Sequence, residues 1–89
     1  MKPQPNYADI KKCLYVAIAE RNGSPELVRG YLTRTQDKVC KGDYNKACRV
    51  ISLGFQDYWH HLFNDAPHIV INQPDITPMF VQFFTEYLN

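Results

Sequence analysis

Residues 44–63 read YNKACRVISLGFQDYWHHLF and carry a continuous helical pattern. Apolar residues recur there at steps of three and four, which places them on one helical face: Ala47, Ile51, Phe55, Tyr58 and Leu62. Asp43 is a residue type that caps a helix start, because its carboxylate accepts a hydrogen bond from a free amide of the first turn. The pattern predicts one amphipathic helix over 44–63, about 30 Å long at 1.5 Å per residue. We expect the rest of the chain to pack against this helix.

Two shorter helices are predicted before the central one. Asn6 is a capping residue type, and apolar residues follow it at helical spacing as far as Ile18. The sequence Ser24-Pro25-Glu26 signals the start of a second helix, which we expect to end near Lys41. The apolar positions of this second helix are Leu27, Val28, Tyr31, Leu32 and, if the helix persists, Thr35 and Val39. The first and second helices are expected to form a hairpin against residues 44–63.

The remainder of the chain changes character after residue 63. Residues 68–72, HIVIN, are short and β-branched, so we expect an extended segment there. This segment either connects the helices or pairs with the same segment of a second copy, and we favour the connector. Thr77-Pro78 then signals a last helix that runs to about Leu88 and is apolar on most of its circumference.

These elements define the predicted fold class, which is mainly α. We expect a small four-helix domain around a long central helix (44–63), with one short extended segment (68–72). The 89 residues are enough for a single domain, 1–89, in which residues 1–5 form a flexible arm with two prolines.

The charges are segregated along the chain. The formal net charge is only +1, but all ten Lys and Arg residues precede residue 50. Residues 1–49 contain five acids and therefore carry +5, whereas residues 50–89 carry four acids and no base. This asymmetry indicates either an acidic partner for the first part of the chain or attraction between the two parts.

The sequence offers little support for catalysis. It contains no G-x-S-x-G, no HExxH and no phosphate-binding glycine loop, so we expect a protein that is not an enzyme and has no cofactor. A metal site that joins Cys40 or Cys48 to His60, His61 or His68 is disfavoured, because zinc sites are usually built from closely paired ligands.

The cysteines and the hydrophobic profile suggest where the protein resides. The three cysteines, Cys13, Cys40 and Cys48, are an odd number without CxxC spacing, which favours free thiols in a reducing cytoplasm. The chain has no run of 18 apolar residues, and its basic start is not followed by an apolar stretch. We therefore expect a cytoplasmic protein that neither spans a membrane nor enters the secretory route.

One segment resembles a DNA-binding motif. Residues 18–32, IAERNGSPELVRGYL, place a small residue, Ala19, four positions before Gly23, and a helix-starting serine follows. This run resembles the helix, turn and recognition helix of bacterial repressors. The resemblance implies a helix-turn-helix transcriptional regulator whose basic side chains contact phosphates or base edges. The residues concerned are Arg29, Arg34, Lys38 and Lys41.

We favour a second hypothesis, a small protein-interaction module that regulates or inhibits a larger protein or complex. Interface centres are enriched in aromatic residues, Met and Arg, and the last helix supplies several of these. The candidate contact residues there are Met79, Phe80, Phe84 and Tyr87, unless they close the core of the monomer. The basic residues of the second helix would then meet an acidic or nucleic-acid-like surface. A homodimer through residues 68–72 or through the 78–88 helix is a further alternative.

Overall fold

The chain is helical in most of the part that the structure describes. The computed structural model describes residues 5–63 and 70–89. Its elements are α1 (Tyr7–Glu20), α2 (Pro25–Lys38), α3 (Tyr44–Leu53), α4 (Gln56–Trp59), a 3₁₀ helix (Pro74–Ile76) and α5 (Thr77–Leu88). No strand occurs within these described ranges. The prediction of a small, mainly α fold is confirmed.

Local capping signals set the start of three helices. The Asn6 side-chain oxygen accepts a hydrogen bond from the Asp9 amide at 2.9 Å, as expected for the cap of α1. Ser24 caps α2 in the same way, and Asp43 caps α3. Thr77 does not cap α5, because the 3₁₀ helix continues directly into it and Ile76 occupies the capping position.

A tight turn separates α1 from α2. Asn22 adopts a left-handed conformation with φ of 52°, and its amide donates to the Ala19 carbonyl. The Gly23 amide donates to the Ile18 carbonyl at 2.9 Å, which completes a Schellman motif. Gly23 also lies directly on Ile18, since a Cβ added to Gly23 would come within 2.7 Å of an Ile18 methyl carbon.

The prediction of one continuous helix over 44–63 is wrong. The α3 helix ends at Leu53, Gly54 and Phe55 form a turn, and α4 begins at Gln56. At the break, the Ser52 carbonyl accepts the Phe55 amide at 3.1 Å and the indole N–H of Trp59 at 3.0 Å. The bond from the Phe55 amide closes the turn, and the bond from the indole brings Trp59 back towards α3. Because Trp59 is fully buried, the indole bond also satisfies the only polar group of its side chain.

The C-terminal helix, α5, occupies the centre of the domain. It packs against α1, α2 and, most extensively, α3. Phe80, Phe83 and Phe84 are buried and belong to the same core as the inner residues of the other helices. The expected hairpin of α1 and α2 is wrong, because α1 packs mainly on α4 and α5, whereas α2 packs on α3 and α5. The α1 and α2 helices are therefore joined mainly through their apolar contacts with α5, and not through the direct pairing that their order in the chain suggested.

Polar side chains from three other helices fix α5 in position. Near its start, the Arg49 guanidinium donates to the Gln73 carbonyl at 3.2 Å and to the Thr77 hydroxyl at 2.6 Å. Towards its end, the contacts are Tyr7 to Glu86, Tyr44 to Thr85 and Arg29 to the Leu88 carbonyl. The guanidinium at the last turn also lies where a helix dipole favours positive charge.

The extended segment predicted over 68–72 is also wrong where the structure describes it. Val70 and Ile71 are helical and buried, and Asn72 lies in a turn, so these residues offer no strand edge to a second copy. His68 and Ile69 lie outside the described residues. Of the predicted arm over 1–5, residues 1–4 also lie outside them, whereas Pro5 is buried.

We expect Phe84→Ala to lower the free energy of unfolding by about 3–5 kcal/mol, because it leaves a cavity at the centre of the core. Val39→Ala, at an exposed position, should change it by less than about 0.5 kcal/mol. Urea unfolding followed by circular dichroism measures both. If Phe84→Ala does not fold, Phe84→Leu should still unfold cooperatively with a loss of under about 1.5 kcal/mol. Equal stability of Phe84→Ala and the wild-type chain would contradict the central position of α5.

Two glycines provide a matched pair with effects of opposite sign. Gly23→Ala should destabilise the protein by about 1–3 kcal/mol, because its Cβ would clash with Ile18. Gly30→Ala should stabilise it by about 0.5–1 kcal/mol, because Gly30 lies inside α2 and an added Cβ meets nothing within 4 Å. Thermal unfolding of the two variants should shift the midpoint in opposite directions. A higher midpoint for Gly23→Ala would exclude the close turn described here.

Candidate interaction groove

A groove lies between α2 and the ends of α1 and α3. We call it the α2 groove, and its volume is about 360 Å³. It is lined by Ile18, Arg21, Gly23, Leu27, Val28, Tyr31, Arg34, Ile51, Gly54 and Phe55. Its floor is formed by three buried residues, Ile18, Ile51 and Phe55. The charged residues among the described lining are Arg21 and Arg34.

The α2 side of the groove exposes large apolar side chains. Leu27 is 64% exposed and Tyr31 is 52% exposed. Both side chains lie outside the core because only a narrow face of α2 packs inward. On that face, Leu32 and Thr35 are buried and Val28 is half-buried. Three of the apolar positions predicted on α2 therefore do not reach the core: Leu27, Tyr31 and Val39, which is 61% exposed. Leu27 and Tyr31 are four residues apart, so they form an exposed apolar stripe beside the buried face of α2.

Arg21 is held in place at the end of α1 by two aromatic rings. Its guanidinium carbon lies 4.7 Å from the Phe55 ring centroid and 5.7 Å from that of Tyr58. The two rings themselves meet edge to face, with centroids 6.4 Å apart. A guanidinium stacked in this way keeps its in-plane N–H groups available for a carboxylate or a phosphate. Arg21 is not among the contact residues predicted from the sequence, because its stacking partners lie more than 30 positions further along the chain.

Arg34 follows Tyr31 on the exposed side of α2. Neither its guanidinium nor that of Arg21 makes an ion pair or a hydrogen bond with any residue that the structure describes. Among the residues that the structure describes, no aspartate or glutamate lines the groove. Within this part of the chain, both charges are thus uncompensated in the groove.

The structure does not bring the four predicted basic residues together. Arg29 lines a different depression and donates to the Leu88 carbonyl, so it fixes α5 rather than standing free. Lys38 is exposed in the last turn of α2. Lys41 lies beyond the end of that helix, in a loop where its φ is 52°. Arg34 is therefore the only one of the four that borders the α2 groove.

The predicted contact residues of the last helix divide into two groups. Phe80 and Phe84 are completely buried, which removes them from any surface of the folded monomer. Met79 and Tyr87 are half-buried at the edge of the core. The Tyr87 ring stacks on Phe83 with centroids 5.5 Å apart, so it completes the aromatic packing of α5.

The described thiols and imidazoles show no metal-binding arrangement. No group of three or more His, Cys, Asp or Glu residues within 5–63 and 70–89 is placed to hold a metal ion. His60 and His61 are exposed, and His68 lies outside the described residues. Burial raises the pKa of the Cys13 thiol to about 12 and that of Cys48 to about 11. Such thiols stay protonated at neutral pH and are poor nucleophiles.

A second depression, of about 390 Å³, lies between α1 and α4. It is lined by Asp9, Lys12, Cys13, Val16, Tyr58, His61 and Leu62. Its lining contains both an acid and a base, so it has no clear preference for the charge of a ligand.

No protein-family model, curated protein or solved structure matches the chain. Among the helices that the structure describes, none has the length and apolar character needed to cross a membrane.

We expect Cys13 and Cys48 in the native protein to react with iodoacetamide on the order of a hundredfold more slowly than an exposed thiol, because little thiolate is present. Mass spectrometry of labelled peptides over a time course measures each site. The control is the same chain in denaturant, where both sites should label at ordinary rates. Native labelling at the denatured rate would show that these thiols are not buried as described.

Proposed function

We propose that this chain is a protein-interaction module without catalytic activity, which regulates or inhibits a larger protein by binding it through the α2 groove. The observation that carries this proposal is the exposure of Leu27 and Tyr31 above an apolar floor. Leu27 and Tyr31 lie next to each other on α2, and exposed apolar patches with a polar rim mark interaction sites.

The composition of the groove supports a protein partner. Tyr and Arg are the residue types most enriched among the contacts that dominate binding energy, and the groove presents Tyr31, Arg21 and Arg34 together. Small-molecule pockets usually enclose most of the ligand surface. The large exposed fractions of Leu27 and Tyr31 instead describe an open site, which suits part of a larger surface.

The alternative is DNA binding through the α1–turn–α2 segment. It is favoured by the exposed Arg34 and Lys38 and by the tight turn at Asn22 and Gly23. In helix-turn-helix proteins, however, the N-terminal residues of the second helix approach the bases. Here the exposed face of that part of α2 presents Leu27 and Tyr31, and Arg29 is engaged by α5. We therefore treat DNA binding as an outcome of the test.

The test selects peptides from a displayed random library on the wild-type chain and measures their affinities by fluorescence anisotropy. Tyr31→Ala should weaken the recovered peptides by about tenfold or more, because it removes a large side chain from the centre of the contact. Val39→Ala is the matched control, since Val39 is exposed to a similar degree but does not line the groove. Both variants should keep the wild-type melting temperature within a few degrees.

Peptides that bind Tyr31→Ala and Val39→Ala equally well, or no recovered peptide at all, would contradict the proposal. In parallel, labelled random duplex DNA is titrated at about 50 and 200 mM salt, because phosphate contacts weaken steeply with salt. Salt-sensitive DNA binding that is lost on changing Arg34 and Lys38 to alanine would support the DNA-binding alternative instead.

A further inference from the structure

We infer that the occupant of the α2 groove is an acidic peptide segment of the partner. In this arrangement, carboxylate side chains of the segment bind Arg21 and Arg34, while its apolar side chains lie against Leu27, Tyr31 and the groove floor. The inference rests on the proposed function and names the chemistry of the partner.

Arg21 is already positioned before any ligand binds. The stacking of Arg21 on Phe55 and Tyr58 restricts a side chain that is otherwise long and mobile. The entropy lost on ordering the Arg21 side chain when a ligand carboxylate binds is therefore smaller than for a mobile arginine. The planar guanidinium also matches a carboxylate with two parallel N–H···O bonds.

The charge of the groove is unbalanced in the part of the chain that the structure describes. Arg21 and Arg34 are both exposed and have no acidic partner among residues 5–63 and 70–89, and none of the acids in these ranges lines the groove. An apolar or basic occupant would leave these charges unpaired or would repel them. An acidic occupant neutralises them, and complementary charge also speeds the encounter between partners.

Two further depressions do not present two unengaged cations. The depression between α1 and α4 contains Asp9 as well as Lys12, so its charge is mixed. The depression beside the end of α5 contains Arg29, but that guanidinium already donates to the Leu88 carbonyl. The α2 groove is thus distinguished by two available cations next to exposed apolar side chains.

The size of the groove fits a short segment. Its volume is only about 360 Å³. It therefore accepts a few apolar side chains, whereas the arginines can reach carboxylates on their flanks. A segment with one or two apolar anchors next to Asp or Glu satisfies both requirements.

The test uses the peptides that depend on Tyr31 in the library selection. Their sequences should be enriched in Asp and Glu relative to the unselected library. Synthetic copies in which each acid is replaced by its amide should bind the wild-type chain roughly fivefold more weakly, as expected for solvent-exposed charge pairs. Affinity is measured by fluorescence anisotropy at low and at physiological salt.

Variants of the chain supply the complementary arm. Arg34→Glu should weaken the binding of the acidic peptides by about tenfold. Peptides whose acids are replaced by lysine should regain part of this affinity on the Arg34→Glu variant, but not on the wild-type chain. Lys46→Glu is the matched control, because it makes the same charge change at an exposed position outside the groove. Arg21→Lys keeps the charge but loses the planar donor group, so it should cause an intermediate loss.

The outcomes separate this inference from the proposed function. Peptides that depend on Tyr31 but are not enriched in acids, or that bind Arg34→Glu and Lys46→Glu equally well, would overturn the acidic occupant and leave the interaction module standing. Failure to recover any peptide that depends on Tyr31 would overturn both. Sedimentation analysis that shows a dimer lost in Arg34→Glu would assign the groove to a second copy. Duplex DNA binding lost in that variant would assign it to nucleic acid.

Discussion

The structure depends on the burial of three phenylalanines of α5. Phe80, Phe83 and Phe84 are buried in the core, and the other three long helices, α1, α2 and α3, all pack against α5. A chain of 89 residues buries a limited fraction of its surface, so few apolar contacts carry its stability. Because α1 and α2 both pack on α5 and not mainly on each other, a groove is left between α2 and the ends of α1 and α3.

The character of that groove follows from the same packing. The inner face of α2 needs only Leu32, Thr35 and part of Val28 to reach the core, which leaves the neighbouring stripe of Leu27 and Tyr31 uncovered. The turn after α1 places Arg21 beside Phe55, whose own position depends on the break between α3 and α4. The helix break, the stacked arginine and the exposed stripe are thus linked features of one surface.

The sequence predicted the features that are determined locally. The caps at Asn6, Ser24 and Asp43 depend on a side chain and an amide three residues away, so local sequence was enough to locate them. The break at Gly54 was not predictable from periodicity, because Trp59 stabilises it through a carbonyl seven residues earlier. Periodicity also placed Leu27 and Tyr31 on an apolar side of α2, but only the packing of α2 on α5 shows that no described helix covers this side. The stacking of Arg21 on Phe55 joins two separate elements and left no signal in either one.

The position of Trp59 has a practical consequence. It is the single tryptophan of the chain, is fully buried, and lies 5.6 Å from Phe80 between ring centroids. Its indole therefore senses whether α4 and α5 are packed together. Trp59 does not line the α2 groove, so its emission reports the integrity of the core without direct contact from an occupant. The protein thus contains its own optical probe, which distinguishes loss of folding from loss of binding without an added label.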